Sequence, residues 1–193
     1  MKKVYFDSAA TTQLRDDVIT CITEVLKTEY GNPSSTHSYG RSSKSLLENA
    51  RKEIAKFLNV SASEIIFTSG GTEADNLILC SAVRDLGVKR IVSSRIEHHA
   101  VLHTLEWLQK EYNIQLDFVK VDECGQVDYN NLENLLTATS QKTLVSLMHV
   151  NNEIGSLLDL KKVAVLCKEH HALFHSDTVQ SVGHFELDFK EIP

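Results

Sequence analysis

Four stretches of this 193-residue chain combine residue types that do chemistry. Ser69-Gly70-Gly71-Thr72-Glu73 stands between an apolar run and a helical pattern. Paired glycines let a backbone approach a ligand closely, and the unpaired N–H groups and dipole of a helix start favour an anion. Ser69 and Thr72 add hydroxyl donors. The segment lacks the third glycine of a dinucleotide fingerprint and the Gly-Lys-Ser/Thr of a P-loop, so neither applies. A plain glycine turn capped by Thr72 accounts for it equally well. His98 follows the strand-like Ile91-Val92 and opens a helix, in the loop zone where parallel α/β sheets place ligands. Asn151-Asn152-Glu153 follows another apolar strand and reads either as a turn or as polar groups offered at a strand end. His175-Ser176-Asp177-Thr178-Val179-Gln180 ends a third. An Asp there is partly buried and needs a cationic or N–H partner to stay charged.

Each signal is weak alone. Taken together, they put a helix start, an imidazole, an amide and a buried-type carboxylate at the C-terminal ends of successive strands. That set suits pyridoxal phosphate, whose electron-sink chemistry needs its ring nitrogen kept protonated by an acid. The remaining histidines carry less. His99 and His103, four apart on one helix, share a face and suggest a metal, but no His-Glu-x-x-His pattern or clear third ligand accompanies them. His170-His171 falls at a helix C-terminus, where the dipole alone suits a histidine.

These groups must be held by an alternation of helical and strand periods, the pattern of an α/β fold with a mostly parallel sheet. The periodicity predicts helices over residues 15–29, 42–58, 71–86, 100–111, 130–136 and 160–170. It predicts strands at Ile65–Thr68, Arg90–Ser93, Leu116–Val119, Thr143–Met148 and Leu173–His175, with Val4–Phe6 a short strand or an extended arm.

Composition narrows the function. Lys+Arg 20 against Asp+Glu 26 gives a net charge of −6, which argues against a nucleic-acid partner but leaves room for a local anion pocket. No run approaches the ~20 apolar residues of a membrane span, so no membrane role is expected. Asp7 and Ser8 interrupt the only run that begins like a leader. Cys21, Cys80, Cys124 and Cys167 are widely spaced and form no Cys-x-x-Cys, so a reducing, cytoplasmic setting is expected.

The motifs occur in an order that closely resembles the N-terminal half of the cysteine desulfurases, the NifS and IscS-like fold-type I pyridoxal-phosphate enzymes. The resemblance runs through Val4 to Thr12, Gly31-Asn32-Pro33-Ser34-Ser35 with His37 and Gly40-Arg41, and Phe67 to Glu73. It continues through Glu97-His98-His99-Ala100, His149 to Gly155, and Asp177 to Gly183. It implies a three-layer α/β/α fold, with residues 1–14 an arm belonging to the smaller domain and 15–193 the large cofactor-binding domain. By position, Gly71 and Thr72 would hold the cofactor phosphate, and His98 would stack on the pyridine ring and transfer protons. Asp177 would pair with the ring nitrogen and Gln180 with the ring hydroxyl. Asn152 would contact that hydroxyl or the substrate carboxylate. The resemblance also implies L-cysteine as substrate, a sulfur-acceptor or scaffold protein as partner, and a homodimer. Thr178 and Ser8 depart from the family's usual Ala and Asn.

The family's Schiff-base lysine and persulfide cysteine follow later than Pro193, so this chain is expected to be a fragment without desulfurase activity on its own. Three alternatives stay open: a selenocysteine lyase or other fold-type I enzyme, a non-catalytic half-domain that associates with a partner, and a metal-dependent hydrolase built on His99 and His103.

Overall fold

The computed structural model describes residues 2–192. The chain divides into two compact units, one ending at Ile66 and the other beginning at Phe67.

The first unit holds α1 (Asp16–Thr28), α2 (Ser38–Phe57) and a 3-10 turn at Ala62–Glu64. Asp16 and Asp17 in the first turn of α1, and Lys27 in its last, match the helix dipole. The Nδ1 of His37 caps α2 by accepting the Gly40 N–H at 3.3 Å. Gly40 is required there, since a Cβ would lie 2.4 Å from the Ser35 carbonyl oxygen.

One expected strand does not form, and Val4–Phe6 takes the extended-arm alternative. Ile65–Thr68 is extended but joins no ladder among the described residues, and the Arg51 guanidinium takes the carbonyl of Ile65. Residues 4–6 are likewise unpaired as a strand, with Phe6 93% exposed. β-propensity makes a strand only where a neighbour supplies the ladder.

The second unit opens with α3 (Gly71–Arg84) and continues as β1 (Arg90–Ser93), α4 (His99–Tyr112), β2 (Gln115–Phe118), α5 (Tyr129–Thr137), β3 (Thr143–Ser146), α6 (Leu160–Glu169) and β4 (Leu173–His175). The four strands form one parallel sheet in the order β2-β1-β3-β4. The central strands β1 and β3 are buried along their whole length, as expected for a parallel sheet covered on both faces. Leu79 and Val83 of α3, Val101, Leu105 and Leu108 of α4, and Ile91 and Leu144 of the sheet make the main core. Asp128 and Asp159 cap α5 and α6, each accepting an N–H three residues on at 3.0 Å.

This strand order fixes where a ligand belongs. From β1 the chain crosses to β2 on one side, and from β3 it crosses to β4 on the other. Right-handed crossovers then put α4 on one face and α6 on the opposite face. Accordingly, α3 packs on α4, and α5 on α6. The loops leaving β1 and β3 lead to helices on opposite faces, and the C-terminal ends of such strands are where open parallel sheets bind ligands.

Candidate cofactor site

The loop after β1 carries Ser94 to His98, the loop after β3 carries Leu147 to Asn152, and the loop after β4 carries Asp177 to Gln180. Backbone bonds join the last two: the His149 N–H donates to the Asp177 carbonyl at 2.9 Å. The start of α3 closes on the same group, because a Cβ on Gly71 would stand 2.5 Å from Val179 Cγ2. Glycine at 71 is therefore what allows α3 to begin against the 177–180 turn.

No side chain caps the first turn of α3. Its leading N–H groups have no carbonyl within the helix to bond, so they remain available to an anion. Thr72 is exposed beside them. Ser69, expected as a donor, is engaged elsewhere: its N–H and hydroxyl both donate to Glu73 Oε2, at 2.7 and 2.6 Å. Those two bonds hold the Glu73 carboxyl below its ordinary pKa and tie its charge back toward Ser69.

His98 is the N-cap of α4. Its Nδ1 accepts the Ala100 N–H at 3.2 Å, so the neutral ring carries its proton on Nε2. The ring is exposed.

Asp177 is buried at 8% exposure. Burial pushes its carboxyl up, opposed by the Val179 N–H that donates to Oδ1 at 2.9 Å. Asp75 raises it further, while His175 and His98 lower it. His98 is thus electrostatically coupled to Asp177.

The two asparagines divide the work. Asn151 is buried and knits its loop: Oδ1 accepts the N–H groups of Glu153 and Ile154, and Nδ2 donates to the Ile96 carbonyl at 2.7 Å. Asn152 is half-buried, and its Nδ2 donates to Glu153 Oε1 at 2.9 Å. Gln180 is half-buried on the 177–180 turn. His99 and His103 stack with ring centroids 5.1 Å apart, but no group of three ligating residues suited to a metal occurs among the described residues.

Two buried acids escaped the sequence reading. Asp75, on α3, lies 3.3 Å from His175 Nε2, and His175 Nδ1 bonds Ser146 Oγ at 2.9 Å. Asp75 falls on the helical face of Leu79, Ala82 and Val83, and an acid on an apolar face was the available signal. Glu97, 6% exposed, bonds Ser94 and the Met148 amide. Nothing in its local pattern announces that it turns inward.

Residues 4–193 match the class V aminotransferase family. The chain belongs to that family. A curated cysteine desulfurase IscS from Dictyoglomus turgidum is 39% identical over 99% of this chain and 48% of its own length. Among solved structures, a NifS-like protein superposes with a TM-score of 0.92 at 35% identity, covering 99% of this chain and 53% of that one. SspA in complex with cysteine superposes at 0.87 with 27% identity, over 97% of this chain and 54% of that one. The chain thus spans about half the length of the relatives it matches. Class V aminotransferases depend on pyridoxal phosphate, and the residues of the site fit it. An uncapped helix start suits a phosphate, a buried carboxylate suits a pyridinium, and the exposed His98 imidazole opens α4 at the end of the loop after β1.

Proposed function

We propose that this chain forms the pyridoxal-phosphate-binding part of a cysteine desulfurase, which converts L-cysteine to L-alanine and passes the sulfur to an acceptor or scaffold protein. The observation that carries the reading is the convergence of the α3 start, His98 and Asp177 at the point where the strand order reverses. The IscS relative and the SspA–cysteine structure support cysteine over other amino acids.

When bound, pyridoxal phosphate supplies an electron sink that stabilises negative charge developing on the amino-acid substrate. The chain's own residues have separable tasks. The N–H groups at the start of α3 and the Thr72 hydroxyl bind the phosphate, with Gly71 keeping the approach open. Asp177 would hold the protonated ring nitrogen by accepting its hydrogen bond. Its raised pKa is that of a buried carboxyl short of positive charge, and a pyridinium corrects that. His98 holds a proton on Nε2 and exchanges it with the reacting amino acid. Gln180 and Asn152 orient polar groups of cofactor and substrate.

Cys80 and Cys167 are poorly suited to serve as nucleophiles. Burial pushes the Cys167 thiol up to about 12 and raises that of Cys80, and Cys124 lies in an exposed turn. By the family resemblance, none of the cysteines present stands at the position of the sulfur-accepting thiol.

The test is a spectrophotometric titration of the chain with pyridoxal phosphate, followed by borohydride reduction and mass spectrometry. Saturable, reversible binding that weakens at least tenfold in Asp177→Ala, with no single lysine fixed, is expected. Binding unchanged in Asp177→Ala and His98→Ala, or no saturable binding, overturns the reading.

A further inference from the structure

Glu97 has no part in the tasks above, yet it is among the most enclosed acids of the second unit. Oε1 accepts the Ser94 hydroxyl at 2.6 Å, and Oε2 accepts the Met148 N–H at 2.9 Å. The second bond links the loop after β1 to the loop after β3. A parallel bond runs beside it, from Asn151 Nδ2 to the Ile96 carbonyl at 2.7 Å. Both bonds are donated by the loop after β3 to the loop after β1, and together they rivet the loops that carry His98 and Asn152.

We propose that Glu97 is a positioning residue, whose carboxyl clasps the Met148 amide and thereby sets where His98 stands relative to Asn152. His98 follows Glu97 directly, and its own tether to Ala100 leaves the Glu97 end of the loop as the other determinant of its position. The functional consequence rests on the role assigned to His98 above, whereas the clasp is a property of the cofactor-free chain.

The surroundings explain why the clasp tolerates either charge state. Asp177 beyond β4 and Asp75 of α3 both act on Glu97 and oppose its ionisation, and burial raises its pKa to about 7. Ser94 and Met148 favour the ionised form. When the carboxyl is neutral, its O–H donates to Ser94 Oγ while the other oxygen still accepts the Met148 N–H. Only the direction of the serine bond reverses. Glutamine reproduces the neutral form, with its carbonyl on Met148 and its NH₂ on Ser94. Aspartate keeps the charge but is one methylene too short to span both partners.

The experiment is NMR of the cofactor-free chain, following the Met148 amide and the His98 ring from pH 5 to 9. In the wild type the Met148 amide signal shifts with a midpoint near 7. Glu97→Gln abolishes that midpoint but leaves slow Met148 exchange and the His98 ring signals unchanged. Glu97→Asp and Glu97→Ala accelerate Met148 exchange at least tenfold and displace the His98 signals. If Glu97→Ala does not fold, the Asp and Gln variants decide. Wild-type behaviour in Glu97→Asp, or equal disturbance by Gln and Asp, overturns the clasp. Failure of the chain to take up pyridoxal phosphate, with these signals behaving as stated, counts instead against the proposed function.

Discussion

Gly71 and Val179 stand so close that the smallest side chain on Gly71 would lie 2.5 Å from Val179 Cγ2. Residues more than a hundred positions apart thus set the start of α3 against the turn that carries Asp177 and Gln180. Alanine at 71 gains helix propensity and lowers unfolded-state entropy, each by under about 1 kcal/mol, but it must push Val179 aside. Val179 is 61% exposed and can move outward, so the fold survives and the geometry of the turn does not. Gly71→Ala is expected to shift the melting temperature by only a few degrees while weakening pyridoxal phosphate binding about tenfold. Gly71→Ala with Val179→Ala is expected to recover most of that loss, a coupling that a double-mutant cycle in cofactor titration measures directly.

Asp177→Asn tests the charge rather than the shape of the site. The carboxyl sits above its ordinary pKa chiefly because it is buried, so folding keeps an ionised group there at a cost. The neutral amide removes that cost and keeps an acceptor for the Val179 N–H. The variant is expected to be at least as stable as the wild type at pH 8 in urea unfolding, and to bind pyridoxal phosphate about tenfold more weakly or worse. Loss of both stability and binding would show that Asp177 acts by packing instead.

Much of this arrangement was legible in the sequence, and for different reasons in different places. Arg90–Ser93 and Leu173–His175 are strands at their expected ends, because apolar runs bounded by turns leave little choice of register. Ile65–Thr68 has the same composition but no ladder, since pairing depends on a neighbour that local sequence does not describe. His98 and Asp177 were visible because polar groups at strand ends stand out. Asn151 and Asn152 look alike in sequence, and only the fold separates the buried loop-knitter from its half-buried neighbour. Glu97 and the Asp75–His175 pair were hidden because an acid in a loop or on a helix gives no sign of what faces it.

Arg90 offers a test of the sheet itself. It is 2% exposed at the start of β1, with Nε on Asp117 Oδ2 of β2 at 2.6 Å and a terminal nitrogen on the Leu135 carbonyl at 2.7 Å. Asp117 is only half-buried and also accepts Gln115 Nε2 at 2.8 Å, so loss of the arginine leaves it a partner, whereas the Leu135 carbonyl loses its donor. Arg90→Ala is expected to cost about 2–4 kcal/mol from the lost volume and bonds, and Arg90→Met, which refills the volume but makes neither bond, less. Urea denaturation of both variants checks the order: a smaller loss in Arg90→Met assigns the difference to lost volume, and equal losses would assign the whole cost to the ion pair and carbonyl bond.

The pH dependence of stability follows from Glu97. Its carboxyl titrates near pH 7 in the folded chain against an ordinary value of 4.5, so the folded state holds a proton that the unfolded state has released between those values. Stability from this group is greatest below about pH 4.5, falls as pH rises toward 7, and is level beyond it. The full span of that shift corresponds to about 3 kcal/mol. Glu97→Gln has no proton to lose and keeps both clasp bonds. The difference in unfolding free energy between Glu97→Gln and wild type is therefore expected to move in favour of the variant from pH 5 to pH 8, by up to about 3 kcal/mol. Urea unfolding at the two pH values measures it. A gap that stays constant, or that grows in favour of the wild type, would show that Glu97 is ionised throughout.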